Sequence, residues 1–130
     1  MADLILITNN PLVAEYYNGK DFCQIRWVDS PVIGVLTAAR SAVHRGAELV
    51  SHPLSGVNKP GASPYKSVVV TSPSTEAQLH FQSLKLIEEA IAYYKKNPKS
   101  RFIHIDEETL KDFQVIDLDM VVSSLINQQI

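Results

Sequence analysis

The chain has 130 residues, 45% of them apolar and 20% charged, with a formal net charge of −2. Those values fit one globular domain over residues 1–130 with a core of its own and exclude a disordered or fibrous chain. The missing basic excess speaks against a protein built to hold nucleic acid, and the lone cysteine, Cys23, excludes an internal disulfide or a cysteine-based zinc site.

In chain order, Leu4 to Ile7 is a short run of β-formers. Asn10 offers an N-cap, and Pro11 a first helical residue whose missing N–H would have no helical partner anyway. The expected helix runs from Pro11 to Tyr17 and is closed by Asn18-Gly19. A second strand is expected at Gln24 to Val28. Ser30-Pro31 repeats the start signal, Val32, Leu36, Ala39 and Val43 form an apolar stripe, and Gly46 stops the helix. Ala47 to Ser51 reads as a third strand. His52 to Lys66 is irregular, with three prolines and two glycines. Ser67 to Thr71 contains Val68-Val69-Val70, the pattern of a strand covered on both faces.

The longest helix is expected from Ser72–Thr75 to Lys96, ending at Asn97-Pro98. Phe81, Leu84, Ile87, Ile91 and Tyr94 recur at helical spacing, and Leu86, Ala90 and Tyr93 widen that stripe. So wide a stripe fits a central core helix, or a helix shared with a second copy in a homodimer. Phe102 to Ile105 reads as a last strand. Asp106 would cap a helix through Phe113, and Asp117 or Asp119 would start another to Ile126. The alternation predicts an α/β three-layer sandwich: a mainly parallel sheet of about five strands with helices on both faces. Segments 47–51 and 67–71 have no helix between them, so they could pair antiparallel or lie apart.

Met1 to Ile7 is too short an apolar run for a signal peptide, and Asp3 stands where a basic residue would be expected. No apolar stretch approaches the roughly 20 residues of a bilayer span. No membrane association is expected, and the expected location is the reducing cytoplasm.

In open α/β sheets, ligands bind beyond the carboxyl ends of the strands. Asn9 and Asn10 follow the first strand, Ser30 the second, the long loop the third and Ser72 the fourth. The loop supplies His52, Ser55, Asn58, Lys59, Tyr65 and Lys66, and no acidic residue occurs between Glu48 and Glu76. Donors without competing carboxylates suit a phosphate or carboxylate ligand. Three prolines would hold such a loop stiffly. The same loop could instead pack across a sheet edge, with His52 bonded to backbone. Its glycines match neither the P-loop nor the dinucleotide fingerprint.

His104 and Asp106 could face the same way at a strand end, although helix capping explains Asp106 more simply. His44, His52, His80 and His104 lack metal-ligand spacing, so neither a metal nor another cofactor is expected. Arg40 could pair with acids of the C-terminal segment, and Lys95, Lys96, Lys99 and Arg101 form a basic end to the long helix. Arg26 and Trp27, adjacent on a strand, face opposite sides and make no stacking platform for nucleic acid.

Thr8-Asn9-Asn10-Pro11, Gly46 before Leu49, His52-Pro53-Leu54, Lys59-Pro60 and Pro64-Tyr65-Lys66-Ser67, in that order, resemble the GrdX family. Its members are small proteins encoded beside glycine, sarcosine and betaine reductase components in amino-acid-fermenting anaerobes. The resemblance covers about the first three-quarters of the chain and is strongest in the long loop. It implies an accessory role around the reductase and brings no reaction, cofactor or catalytic residue.

Two functions fit these residues. One is a non-catalytic accessory protein that binds a small anionic metabolite or a reductase component through the 52–67 loop. The other is an enzyme acting on a phosphorylated or carboxylated small molecule. There His52 would be the acid/base, Lys59 and Lys66 the anion clamp, and Asn9, Asn10 and Ser55 the orienting donors.

Overall fold

The computed structural model of the chain describes residues 4–54, 63–73, 80–96 and 105–128. Its elements are β1 (Leu4–Thr8), α1 (Pro11–Tyr17), β2 (Cys23–Trp27), α2 (Val32–His44), β3 (Ser67–Thr71), α3 (Phe81–Lys96) and α4 (Glu107–Gln128). No helix among the described residues is long and apolar enough to cross a membrane.

Among the described residues the sheet has three strands, in the order β2-β1-β3. β1 pairs parallel with β2, Leu4 opposite Cys23 and Thr8 opposite Trp27. It pairs antiparallel with β3, Leu4 opposite Thr71 and Thr8 opposite Ser67. This mixed sheet overturns the expected sheet of about five mainly parallel strands. β3 runs antiparallel both to β1 and to the segment 47–51 that precedes it in the chain, and an antiparallel neighbour needs no helical crossover.

Residues 47–51 do run antiparallel beside β3, but they form only a single bridge, Leu49 opposite Val70. Backbone bonds join them to β3, Val50 N to Val69 O (2.8 Å) and Thr71 N to Glu48 O (2.8 Å), and side chains take up other backbone groups. Glu48 N donates to Thr71 Oγ1 (2.8 Å), Leu49 N to Ser83 Oγ (2.9 Å), and Val69 N to Ser51 Oγ (2.9 Å). The backbone polar groups are thereby satisfied without a strand. Of the last expected strand, 102–104 lies outside the described residues, and Ile105 is not in a strand.

Side chains alternate along β1 and β3 and so feed two cores. Ile7, Val68 and Val70 pack with Val35, Leu36 and Ala39 of α2 and with Ile87, Ala90 and Ile91 of α3. Leu6 and Val69 pack on the other face with Val13 and Tyr17 of α1, Cys23, and Val121 and Leu125 of α4. Burial on both faces explains the unbroken valine run of β3, whatever its direction. Full burial of each such side chain contributes about 1.5–3 kcal/mol.

The helix ends follow local chemistry. Asn10 Oδ1 accepts from Leu12 N (3.0 Å) at the start of α1, with Pro11 at its first position. Gly46 takes a φ of 103° just beyond α2, where a side chain would be strained. Asp106 Oδ1 accepts from Thr109 N (2.8 Å) at the start of α4, and these bonds hold its carboxyl below the usual range. The two short helices expected after Asp106 are one helix of 22 residues. Neither Asp117 nor Asp119 caps anything, since no glycine or proline interrupts Glu107–Gln128. Phe81, placed by periodicity in the buried stripe of α3, is 77% exposed. Residues 74–79, where that helix is expected to begin, lie outside the described residues.

One helical glycine reverses an ordinary expectation. A Cβ on Gly34 would overlap Ser30 Oγ and sit 2.5 Å from Ser30 Cβ. Glycine to alanine inside an exposed helix normally stabilises by about 0.5–1 kcal/mol. Gly34→Ala is instead expected to destabilise by about 1–2 kcal/mol, because the start of α2 must shift to admit it. Thermal denaturation of the variant checks the sign, and a raised melting temperature would refute the crowding.

Candidate functional site

The polar residues of this protein gather where β1 ends, β3 begins and the middle of α4 crosses the sheet. Thr8 and Ser67 face each other across the β1–β3 pair, on the side that α4 covers. Their hydroxyl oxygens are 2.7 Å apart, and Ser67 Oγ donates to Asp117 Oδ2, also at 2.7 Å. A hydroxyl has one proton, so Ser67, having given its own to Asp117, accepts from Thr8. Thr8 Oγ1 in turn accepts from Asn10 N (2.9 Å), and Asn10 Nδ2 donates to Asp117 Oδ2 (3.0 Å). The result is a closed ring of directed hydrogen bonds running onto one carboxylate oxygen. Each bond polarises the next in such an arrangement.

Asn10 is 0% exposed. Its second amide hydrogen goes to Gln114 O (3.0 Å), and its side-chain oxygen caps α1. Asn9 ties three segments together. Its Nδ2 donates to Ser30 O (2.9 Å) and Pro64 O (3.0 Å), and its Oδ1 accepts from Lys66 N (2.9 Å). The amide hydrogens of both asparagines are therefore spent within the protein. Neither can orient a ligand without giving up a bond.

Lys66 is 4% exposed. Burial brings its amine down to about 8, and the nearby Asp117 carboxylate works against that fall. Tyr65 OH accepts from Gln114 Nε2 (2.9 Å), and Tyr65 N donates to Ser63 Oγ (3.1 Å). His52 is exposed, and its Nδ1 accepts from Leu54 N (3.1 Å), which leaves the proton of the neutral ring on Nε2. His52, Lys66, Ser67 and Asp117 line a cavity of about 10 Å3, room for about one water molecule.

Of the residues expected at the site, Asn9, Asn10, Tyr65 and Lys66 meet in this cluster. Ser30 joins through its carbonyl only, and His52 lies at its edge. Ser55, Asn58 and Lys59 lie outside the described residues. Ser72 follows β3, whose antiparallel direction carries it to the Leu4 end of β1, the opposite end of the sheet. His104 lies outside the described residues and Asp106 is a helix cap. His44 Nε2 is 3.8 Å from Glu88 Oε2, Arg40 Nη1 is 3.5 Å from Glu88 Oε1, and Cys23 is buried and reduced. Arg40 thus pairs with α3 and not with the acidic C-terminal segment. Lys99 and Arg101 lie outside the described residues. Among the described residues, no group of three or more His, Cys, Asp or Glu could hold a metal ion.

Asp117 and Gln114 are the residues that the sequence reading missed. A signal exists for both. Gln114, Asp117, Leu118, Val121 and Leu125 share one helical face, so two polar side chains lie on a stripe that is otherwise apolar.

A family model described as GrdX-like protein matches residues 5–126. The match extends beyond the loop and takes in nearly all of α4, including Gln114 and Asp117. No curated protein and no solved structure matches the chain.

Proposed function

The chain belongs to the GrdX-like protein family, and on that premise we propose that it is a non-catalytic accessory protein whose 52–67 loop binds a phosphate or carboxylate group. That group would be carried by a small metabolite or by a reductase component. The observation that carries this reading is the fixing of both feet of the loop to one end of the sheet. At the first foot, Ser51 Oγ accepts from Val69 N, His52 Nδ1 accepts from Leu54 N, and Pro53 is buried. At the second, Asn9 holds Pro64 and Lys66, Gln114 holds Tyr65, and Asp117 holds Ser67. A loop fixed at both ends loses less freedom on binding. Between the feet the chain carries Ser55, Asn58 and Lys59 and no acid. Lys66 already faces Asp117, so the charge offered to an anion is that of Lys59.

The enzyme reading is weaker on the same geometry. It needs a substrate beside His52, where the cavity shared with Lys66 is about 10 Å3. It also needs donors from Asn9 and Asn10, whose amide hydrogens are engaged.

Thermal-shift titration with phosphate and acetyl phosphate, alongside retention of purified reductase components on the immobilised protein, tests the proposal. Saturable stabilisation of about 2.7 kcal/mol is expected at 100 times the dissociation constant, and Lys59→Ala should remove it. A shift with the small anions indicates a metabolite, and retention without a shift indicates the protein partner. If neither occurs, the proposal fails.

A further inference from the structure

A second cavity lies on the α1/α4 side of the sheet. It measures about 230 Å3 and is lined by Tyr16, Tyr17, Lys20, Phe22, Val122, Leu125 and Ile126. One wall is aromatic. Tyr16 meets Tyr17 edge-on at 4.9 Å between ring centroids, and Tyr17 meets Phe22 edge-on at 6.0 Å. The other wall is the last part of α4, where Leu125 is buried and Ile126 is 53% exposed. Burial of the Tyr17 phenol pushes its pKa up to about 12, so that wall stays uncharged at neutral pH.

The mouth carries a cation. Gly19, at a φ of 82°, turns the chain after α1, and Lys20 N donates to Tyr17 O (3.1 Å). That turn brings Lys20 Nζ to 5.4 Å from the centroid of the Tyr16 ring. The ion pairs among the described residues both lie at Glu88, on the opposite helix layer. Glu15 and Asp21, close in sequence to Lys20, are outside those pairs and do not bridge to it. Lys20 is thus a cation held over an aromatic slot, and among the described residues no carboxylate forms an ion pair with it.

We infer that this slot binds a single-ring aromatic carboxylate, its ring between the Tyr16–Phe22 wall and Ile126 and its carboxylate on Lys20. The size selects the class. Pockets for drug-sized ligands run about 300–1,000 Å3, and this one falls below that range, which suits one ring and a short chain. The aromatic and aliphatic walls supply the affinity, and the Lys20 ammonium at the mouth sets orientation and sign of charge. The inference is independent of the 52–67 loop, so Lys59→Ala should leave it unaffected.

Isothermal titration calorimetry with 3-phenylpropionate, 3-phenylpropionamide and acetate tests it. The aromatic acid should bind with a dissociation constant of about 1 mM or tighter. Acetate should not bind. The amide should bind more weakly than the acid, and Lys20→Ala should reduce the affinity for the acid about threefold to tenfold without changing that for the amide. Ile126→Trp fills the slot from its exposed side and should abolish binding while its circular dichroism stays native. Absence of binding by the acid overturns the inference. So does equal affinity for acid and amide, or undiminished binding by the Ile126→Trp variant. Light scattering that shows the slot closed by self-association of the ligand-free protein would also overturn it.

Discussion

Asp117→Ala is expected to lower the unfolding free energy by about 3 kcal/mol at pH 7, measured by urea denaturation. The loss has three sources. Ser67 Oγ and Asn10 Nδ2, both on buried residues, each lose their shared acceptor. A donor left unsatisfied there costs about 1–3 kcal/mol. Lys66, buried beside the carboxylate, also loses a compensating charge. Asp117→Asn should cost less, because an amide oxygen can still accept from both donors. The difference between the two variants isolates the charge. A loss below about 1 kcal/mol for Asp117→Ala would mean that α4 is held to the sheet by its apolar contacts alone.

The buried Lys66 amine predicts a stability that rises with pH. Its pKa is brought down from 10.5 to about 8, so above pH 8 the folded state holds fewer protons than the unfolded chain. By linkage, stability is lowest where the amine is charged in both states and increases as pH rises from 8 toward 10.5. The gain between pH 7 and 10 is about 2 kcal/mol. Two kinds of group act in the opposite direction. Burial pushes the Cys23 thiol up, and Tyr17 and Tyr94 are pushed up to about 12. Each lets the unfolded chain release its proton first, so stability falls through the tyrosine range between 10 and 12. A maximum near pH 10 is the expected sum. Lys66→Met should raise stability at pH 7 and flatten the rise up to pH 10, since an apolar side chain of similar length avoids burying a charge. Parallel pH profiles for the two proteins would show that the amine titrates as it does in water.

Much of the local structure was legible in the residues. Asn10-Pro11 marked the start of α1, the Val32 to Val43 stripe marked α2, and the three valines marked β3 as a strand covered on both faces. What local signals could not carry was direction and number. The loop 52–66 permits either orientation for the strand that follows it, and the choice depends on pairing with β1, which is not a local property. Ala47 to Ser51 has the composition of a strand and bonds in part to the β3 backbone, yet Ser51, Thr71 and Ser83 side chains take up bonds that would extend the ladder.

The site was legible in part for a related reason. Asn9, Asn10, Tyr65 and Lys66 stood out as polar residues in loops that strand ends bring together. Their partners Gln114 and Asp117 lie inside a helix, where an acid reads as a cap or a solvated face. The antiparallel course of β3 also carries Ser72 away, a placement that only the sheet order decides.

The ring on Asp117 also bears on how the chain is made. Asn10 stands directly before α1, and its partner lies 107 positions later. Contacts of such separation form late, after the entropy of closing the intervening chain has been met. As the polypeptide leaves the ribosome, β1 and β3 can already pair and Thr8 can meet Ser67, but Ser67 Oγ and Asn10 Nδ2 wait for their acceptors until α4 emerges. A chain halted before residue 117 would hold those donors on an uncovered apolar sheet face, a species suited to chaperone binding and to degradation. Emergence of α4 thus closes the ring that β1 and β3 leave open.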